Sequence, residues 1–126
     1  MPSISIPAGY QQVMPYLIVS SAEKFLDFML SVFDATEKMK SLKPDNTIAH
    51  AEVQLGESII MFSSSSDQFT EQPAGLFVYV ADADKTYQKA LDAGARAVMP
   101  MSDQPYGRTG GVKDPFGNTW WVTSQL

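Results

Sequence analysis

His50 and Glu52 stand two residues apart in Ile48-Ala49-His50-Ala51-Glu52-Val53-Gln54-Leu55, and their side-chain chemistry is the first thing the sequence offers. On an extended chain, residues at i and i+2 project to one face. An imidazole that titrates near neutrality would then lie beside a carboxylate able to orient it, the pairing a general base uses. The same spacing equally suits two hydrogen-bonded polar residues on a half-exposed strand. His50 is the only histidine, and there is no cysteine. Paired-histidine zinc sites, thiolate metal centres, iron–sulfur clusters, cysteine nucleophiles and disulfides are therefore excluded. The serine run 63–66 reads as a loop, and a Ser-His hydrolase has only His50 to draw on.

Arg108 lies within Tyr106-Gly107-Arg108-Thr109-Gly110-Gly111. Its guanidinium is a fixed fork suited to an anion, and a solvated loop arginine is the plainer reading. The glycines make no phosphate loop, because no Gly-Lys-Ser/Thr follows and the segment reads as a strand.

The elements that must position these residues follow from periodicity. An apolar run from Gln11 to Val19 predicts a strand, with Pro15 at an edge or an irregular point. Ser20-x-x-Glu23 has the capping-box pattern, and Phe25, Phe28, Met29, Val32 and Phe33 then recur at helical spacing. Strands are expected over Thr36–Ser41, Thr47–Leu55 and Ser58–Ser63, the last two joined tightly through Gly56-Glu57. A polar, proline-containing stretch from Ser64 to Ala74 reads as a linker. The order then repeats. A strand over Leu76–Val80 precedes a helix with Ala83, Tyr87, Ala90 and Leu91 on one face, closed by Gly94, with Asp82 and Asp84 suited to its start. Strands over Arg96–Met101 and Gly107–Lys113 lead through the turn Asp114-Pro115-Phe116-Gly117 into Asn118–Ser124. A shift of 61 residues superposes Val19 on Val80, Ala22 on Ala83, Lys24 on Lys85 and Gly56 on Gly117. Two similar halves, about 10–64 and 75–125, thus make one domain spanning 1–126, and each half alone would leave a sheet face uncovered.

Composition bounds the function. With 126 residues, 44% hydrophobic and 18% charged, the chain is globular and too short for a multidomain enzyme. A formal net charge of −5 argues against nucleic acid and favours cationic partners. The amino terminus has no cationic start, and nowhere do about 18 apolar residues run together. A cytoplasmic protein without a membrane partner is expected.

The arrangement resembles the vicinal oxygen chelate superfamily, the group of glyoxalase I, bleomycin-resistance proteins and extradiol dioxygenases, in a glyoxalase-like bacterial branch. The resemblance spans essentially the whole chain. It is carried by Pro15–Val19 with Ser20–Phe33, by Ile48–Val53 with Gly56–Met61, by Val80–Asp84, and most specifically by Asp114-Pro115-Phe116-Gly117-Asn118. It implies an α+β fold in which two paired βαβββ units form a curved mixed sheet around a cup-shaped cleft. It also implies metal ligands on the first and last strands of each unit. These positions fall here at Met14 and Gly75, and at Ile60 and Trp121, or at Met61 and Val122 one residue on. None supplies the oxygen or imidazole donors that a divalent ion of this family needs. No metal and no other cofactor is therefore expected.

Strand alternation assigns the cup lining. Ala51, Val53 and Leu55 would pack under the helices, turning His50, Glu52 and Gln54 to the cup. Gln12, Met14 and Tyr16, with Phe77, Tyr79, Thr119, Trp121 and Thr123, would join them, Ile60 would belong to the lining in the register given above, and Arg108 is the candidate for an anion. Such an apolar, aromatic lining with a few polar groups suits a small molecule. It suits an interface between halves or subunits as well. Met14 and Met61 read as gap-filling residues as readily as ligand contacts. The expectation is a small-molecule-binding protein, sequestering an aromatic or cationic compound as a homodimer. The alternative is a glyoxalase-like lyase or isomerase, or a dioxygenase-type enzyme, using His50 and Glu52; a purely structural dimerisation module is the third reading.

Overall fold

The computed structural model describes residues 3–126. Met1 and Pro2, where the sequence reading of the amino terminus begins, lie outside the described residues. The first unit runs β1 (Tyr16–Val19), α1 (Ala22–Phe33), β2 (Thr36–Leu42), β3 (Ile48–Leu55) and β4 (Ser58–Ser64). The second runs β5 (Gly75–Tyr79), α2 (Ala83–Asp92), β6 (Arg96–Gln104), β7 (Gly107–Lys113) and β8 (Thr119–Ser124). This is the expected pair of βαβββ units in an α+β fold. Each unit makes its own four-stranded mixed sheet, ordered β1-β4-β3-β2 and β5-β8-β7-β6, with one parallel pair, β1·β4 or β5·β8.

Helix α1 forms where its apolar face recurs, and Phe25, Phe28, Met29, Val32 and Phe33 are buried as the spacing requires. Its N-cap is Ser21, whose hydroxyl accepts from the Lys24 backbone N–H at 3.3 Å. The expected box on Ser20 is thus one residue early. Glu23 is released from capping, and its Oε2 accepts from the Ile48 N–H at 3.1 Å, tying the helix to the start of β3. In α2 the Asp82 side chain caps Lys85 N–H, and Gly94 closes the helix at φ +102°, a left-handed conformation in which a side chain would be strained.

The core sits between the helices and the sheets and joins the two halves. Phe25 packs edge-on against Phe62 of its own sheet and Phe116 of the other half, and Phe33 lies against Trp120. The Asp114 turn anchors that junction. Asp114, 4% exposed, accepts from Phe116 N–H, Asn118 N–H, Asn118 Nδ2 and Trp120 Nε1 at 2.8–3.0 Å. Both oxygens of the Asp114 carboxylate are therefore employed in structure.

The glycines of β7 are explained by close approach. A Cβ on Gly110 would meet Met101 Sδ of β6 and, at 2.9 Å, the Tyr87 ring of α2, so a glycine there lets Tyr87 lie close on that strand. The outer strands are irregular. The pairing of β2 with β3 shifts between Glu37 and Met39 and between Ser41 and Leu42, and that of β6 with β7 between Ala97 and Met99 and between Met99 and Ser102.

Two expectations are corrected by register. The first strand begins at Tyr16, because Pro15 has no N–H to give a ladder; Gln11 to Met14 lie outside it. The shift between halves is also not constant. Tyr16 pairs with Met61, and Phe77 pairs with Trp121, so β4 and β8 correspond at 60 residues while β1 and β5 keep 61. Beside that drift, the β7–β8 turn holds Pro115, Phe116 and Gly117 where the β3–β4 turn holds only Gly56 and Glu57. Met61, not Ile60, is therefore the first-half counterpart of Trp121. Ile60 pairs with buried Val53 and lies in the core, 5% exposed.

Candidate functional site

Away from the helices, the first sheet presents a row made by Tyr16 of β1, Met61 of β4 and Glu52 of β3. Glu52 is the buried member, at 3% exposure. Its Oε1 accepts from the Tyr10 hydroxyl at 2.5 Å, and its Oε2 lies 2.8 Å from His50 Nε2. The other ring nitrogen, Nδ1, lies 3.2 Å from the Tyr16 hydroxyl. Burial acts to raise the Glu52 carboxyl, but hydrogen bonds from Tyr10 and His50, with the charges of His50 and Lys38, outweigh it and hold the carboxyl below its ordinary range. The hydrogen bond to Glu52, with burial and the carboxylate charge, raises the Tyr10 phenol.

Tyr10 reaches this position from outside any strand. The turn Pro7-Ala8-Gly9-Tyr10 is closed by Tyr10 N–H donating to Pro7 C=O at 3.2 Å, with Gly9 at φ +84°. Gln11 then donates through Nε2 to Ile59 C=O at 3.1 Å, and Lys38 Nζ sits 4.9 Å from the centre of the Tyr10 ring. The amino-terminal segment so held forms, with the first sheet, an open groove of about 500 Å³ lined by Ile4, Ile6, Pro7, Gln12, Met14, Met61 and Glu52, among others. It is a mostly apolar groove with a carboxylate in its wall.

The structure thus gathers His50, Glu52, Tyr16, Gln12 and Met14 in one region, although Gln12 and Met14 arrive from an irregular segment. Gln54 lies on the same face but folds onto the hairpin, donating to Gly56 C=O at 3.0 Å. Phe77, Tyr79 and Trp121 belong to the second sheet, exposed by 51%, 62% and 37%, and Tyr106 joins Phe77 and Tyr79. Ile60 borders only a smaller cavity of about 170 Å³, shared with Pro15, Leu76 and Phe77. Arg108 is taken up locally: Nε and Nη2 donate to Asp84 at 3.1 Å, and Nη1 donates to Asp103 at 3.2 Å. Its fork is filled by carboxylates, which corrects its expected place as an anion holder. Thr109, standing where His50 stands in the first half, bonds Thr123 at 2.8 Å and is fully buried. The two halves are therefore chemically unequal. Tyr10, Lys38 and Met61 are the members that sequence spacing did not select for the site. Only Met61 carried a signal, as the alternative register.

The sequence profile of the Glyoxalase/Bleomycin resistance protein/Dioxygenase superfamily matches residues 9–122. The chain belongs to this superfamily. An uncharacterized protein of Mycobacterium bovis is 32% identical, with 84% of this chain and 78% of the relative covered. An uncharacterized protein of Mycobacterium tuberculosis strain H37Rv shows the same identity over 84% of this chain and 69% of its own length. Among solved structures, TioX from Micromonospora sp. ML1 superposes with a TM-score of 0.76 at 24% identity, covering 92% of this chain and 99% of its own. A family enzyme from Burkholderia phytofirmans PsJN gives 0.71 at 20%, covering 88% and 95%. These likenesses show the fold. The superfamily's metal positions, resolved by register, hold Met61 and Trp121 on the last strands and Met14 and Gly75 at or before the first. Thioether, indole and glycine do not fit a hard divalent ion. Among the described residues no three of His, Asp and Glu come together as a metal-holding group. No helix of the described residues is long and apolar enough to cross a membrane.

Proposed function

We propose that this superfamily member binds a small aromatic or cationic molecule on the helix-free faces of its sheets, without the superfamily's metal. The observation that carries this reading is the carboxylate of Glu52, held ionised in the wall of a largely apolar open groove of about 500 Å³. A buried charge beside an apolar cavity favours an occupant that brings a hydrogen-bond donor or a positive charge together with an apolar body. Exposed Phe77, Tyr79 and Trp121 offer flat surfaces for stacking. Such a face on so short a chain also supports a homodimer, in which a second copy covers what the first leaves open.

The test pairs melting curves with metal analysis. Proflavine, a planar cation, is expected to raise the melting temperature in a saturable way, while its neutral and anionic planar counterparts do so less. Titration with Ni, Zn, Fe and Mn is expected to leave melting unchanged. A stoichiometric metal that stabilises the protein, or indifference to every planar compound, overturns this reading.

The hydrogen bond between His50 and Glu52 favours a second reading, in which the same site moves a proton on its ligand. Turnover abolished by His50→Ala with the fold retained would select it over simple sequestration.

A further inference from the structure

The contacts around His50 have a direction. Ionised Glu52 can only accept, so the hydrogen between Glu52 Oε2 and His50 must sit on Nε2. In the neutral ring Nδ1 is then bare and can only accept, so the hydrogen between it and Tyr16 must come from the phenol. Tyr10, donating to Oε1, fixes the far end. Side-chain exposure rises along the chain of contacts, from 4% at Glu52 to 23% at His50, and Tyr16 as a residue is 48% exposed. A buried acid orients an imidazole, the imidazole draws on a hydroxyl, and the hydroxyl meets whatever enters.

We propose that Tyr16 is the ligand-facing end of a metal-free Glu52–His50–Tyr16 proton relay, serving small molecules that present an acidic proton to its hydroxyl. The step is a proton shift. As the ligand's proton passes to the Tyr16 oxygen, the Tyr16 proton passes to His50 Nδ1, and the imidazolium so formed is paired with Glu52. Reversal returns a proton to the same or an adjacent atom of the ligand, and no co-reactant is consumed. Within the relay Glu52 and Tyr10 are positioning residues: both line the groove, but they act on the ligand's proton only through His50. The arrangement follows the logic of acid–imidazole–hydroxyl triads, with a phenol in the hydroxyl's place. The second half has no such relay, because Thr109 replaces His50 there and Gly111 stands opposite Trp121 as Glu52 stands opposite Met61.

The inference rests on the reading that this face receives a small molecule, but its test needs none. N-acetylimidazole transfers an acetyl group to reactive phenols: the N–C bond breaks, the O–C bond forms, and the phenol's proton leaves with the imidazole. By exposure alone, Tyr79 and Tyr106, at 62% and 53%, should react before Tyr16. A working relay instead makes Tyr16 the fastest site, by about tenfold over either, as expected of a hydroxyl with an adjacent base. His50→Gln should remove that advantage, and Glu52→Gln should diminish it. Peptide mapping reads each site separately. Nitrogen-15 NMR of the wild-type protein is a second readout that needs no variant to fold. With one histidine in the chain, its signals assign themselves, and the neutral ring should be protonated at Nε2. A Tyr16 rate that follows exposure, a Tyr16 advantage that survives His50→Gln, or a neutral ring protonated at Nδ1 overturns the relay. Failure of the binding reading would appear elsewhere, as indifference of the melting curve to proflavine.

Discussion

Asp114→Asn tests whether the turn motif is a structural lock. One oxygen of the new side chain can still accept from Phe116 N–H and Asn118 N–H, as Oδ1 does at 2.8 and 2.9 Å. Its amide nitrogen must then face Asn118 Nδ2 and Trp120 Nε1, which now donate to Oδ2 at 3.0 and 2.8 Å. Asn118 is fully buried and Trp120 is 1% exposed, so water cannot take the acceptor's place without opening the core. Each buried donor left unpaired costs about 1–3 kcal/mol, which puts the loss at about 2–6 kcal/mol for two. At about 2.1 cal/mol/K of unfolding entropy per residue, a chain of this length shifts by about 4 °C per kcal/mol, so melting should fall by about 8–24 °C. Scanning calorimetry reads the shift. Fluorescence should report loosening at buried Trp120, since Trp121 lies outside the core. A decrease under about 4 °C would show that the four hydrogen bonds do not hold the turn, and the reasoning about Asp114 would be wrong.

Further outcomes follow from the site. The Glu52 carboxyl lies below its ordinary value of about 4.5, so its stabilising contribution is complete above that value and is lost as pH falls through the folded-state value. Glu52→Gln should therefore flatten the acid limb of the stability curve measured by urea unfolding, and an unchanged limb would contradict the assignment. Tyr10 is raised by Glu52, so alkaline absorbance titration should contain one late-ionising tyrosine that disappears in Tyr10→Phe. Arg108→Ala removes only solvent-facing ion pairs, and calorimetry should find the melting temperature within error of wild type, with the proflavine response unaltered.

Much of the architecture was legible because it depends on periodicity. The α1 face, the helix-closing Gly94 and the Asp114 turn are local patterns with local causes, and alternation along β3 correctly turned His50 and Glu52 away from Ala51 and Val53. What sequence could not supply depends on register and on distant contacts. β1 and β5 correspond at 61 residues but β4 and β8 at 60, and that one-residue drift is enough to move Ile60 off the face and Met61 onto it. Tyr10 belongs to no periodic segment and meets Glu52 across 42 positions of sequence, so neither spacing nor residue type points to the contact. Arg108 looked available for a ligand because its partners, Asp84 and Asp103, come from a helix and a neighbouring strand whose packing no linear pattern reveals.

The irregular outer strands bear on how copies of this protein meet. A regular open edge is a template on which another chain can add a strand, the route to runaway aggregation. Strand β2 carries Glu37, Lys38 and Lys40 along with its two register breaks, and β6 carries Pro100 between Met99 and Ser102, where its pairing slips. On the opposite edges, β1 is four residues long and follows Pro15, and β5 is five residues long and opens on Gly75. Charge, proline, bulges and brevity thus discourage all four rims from ladder extension. Any self-association is then left to the faces, where side chains must match and growth can stop at a closed pair.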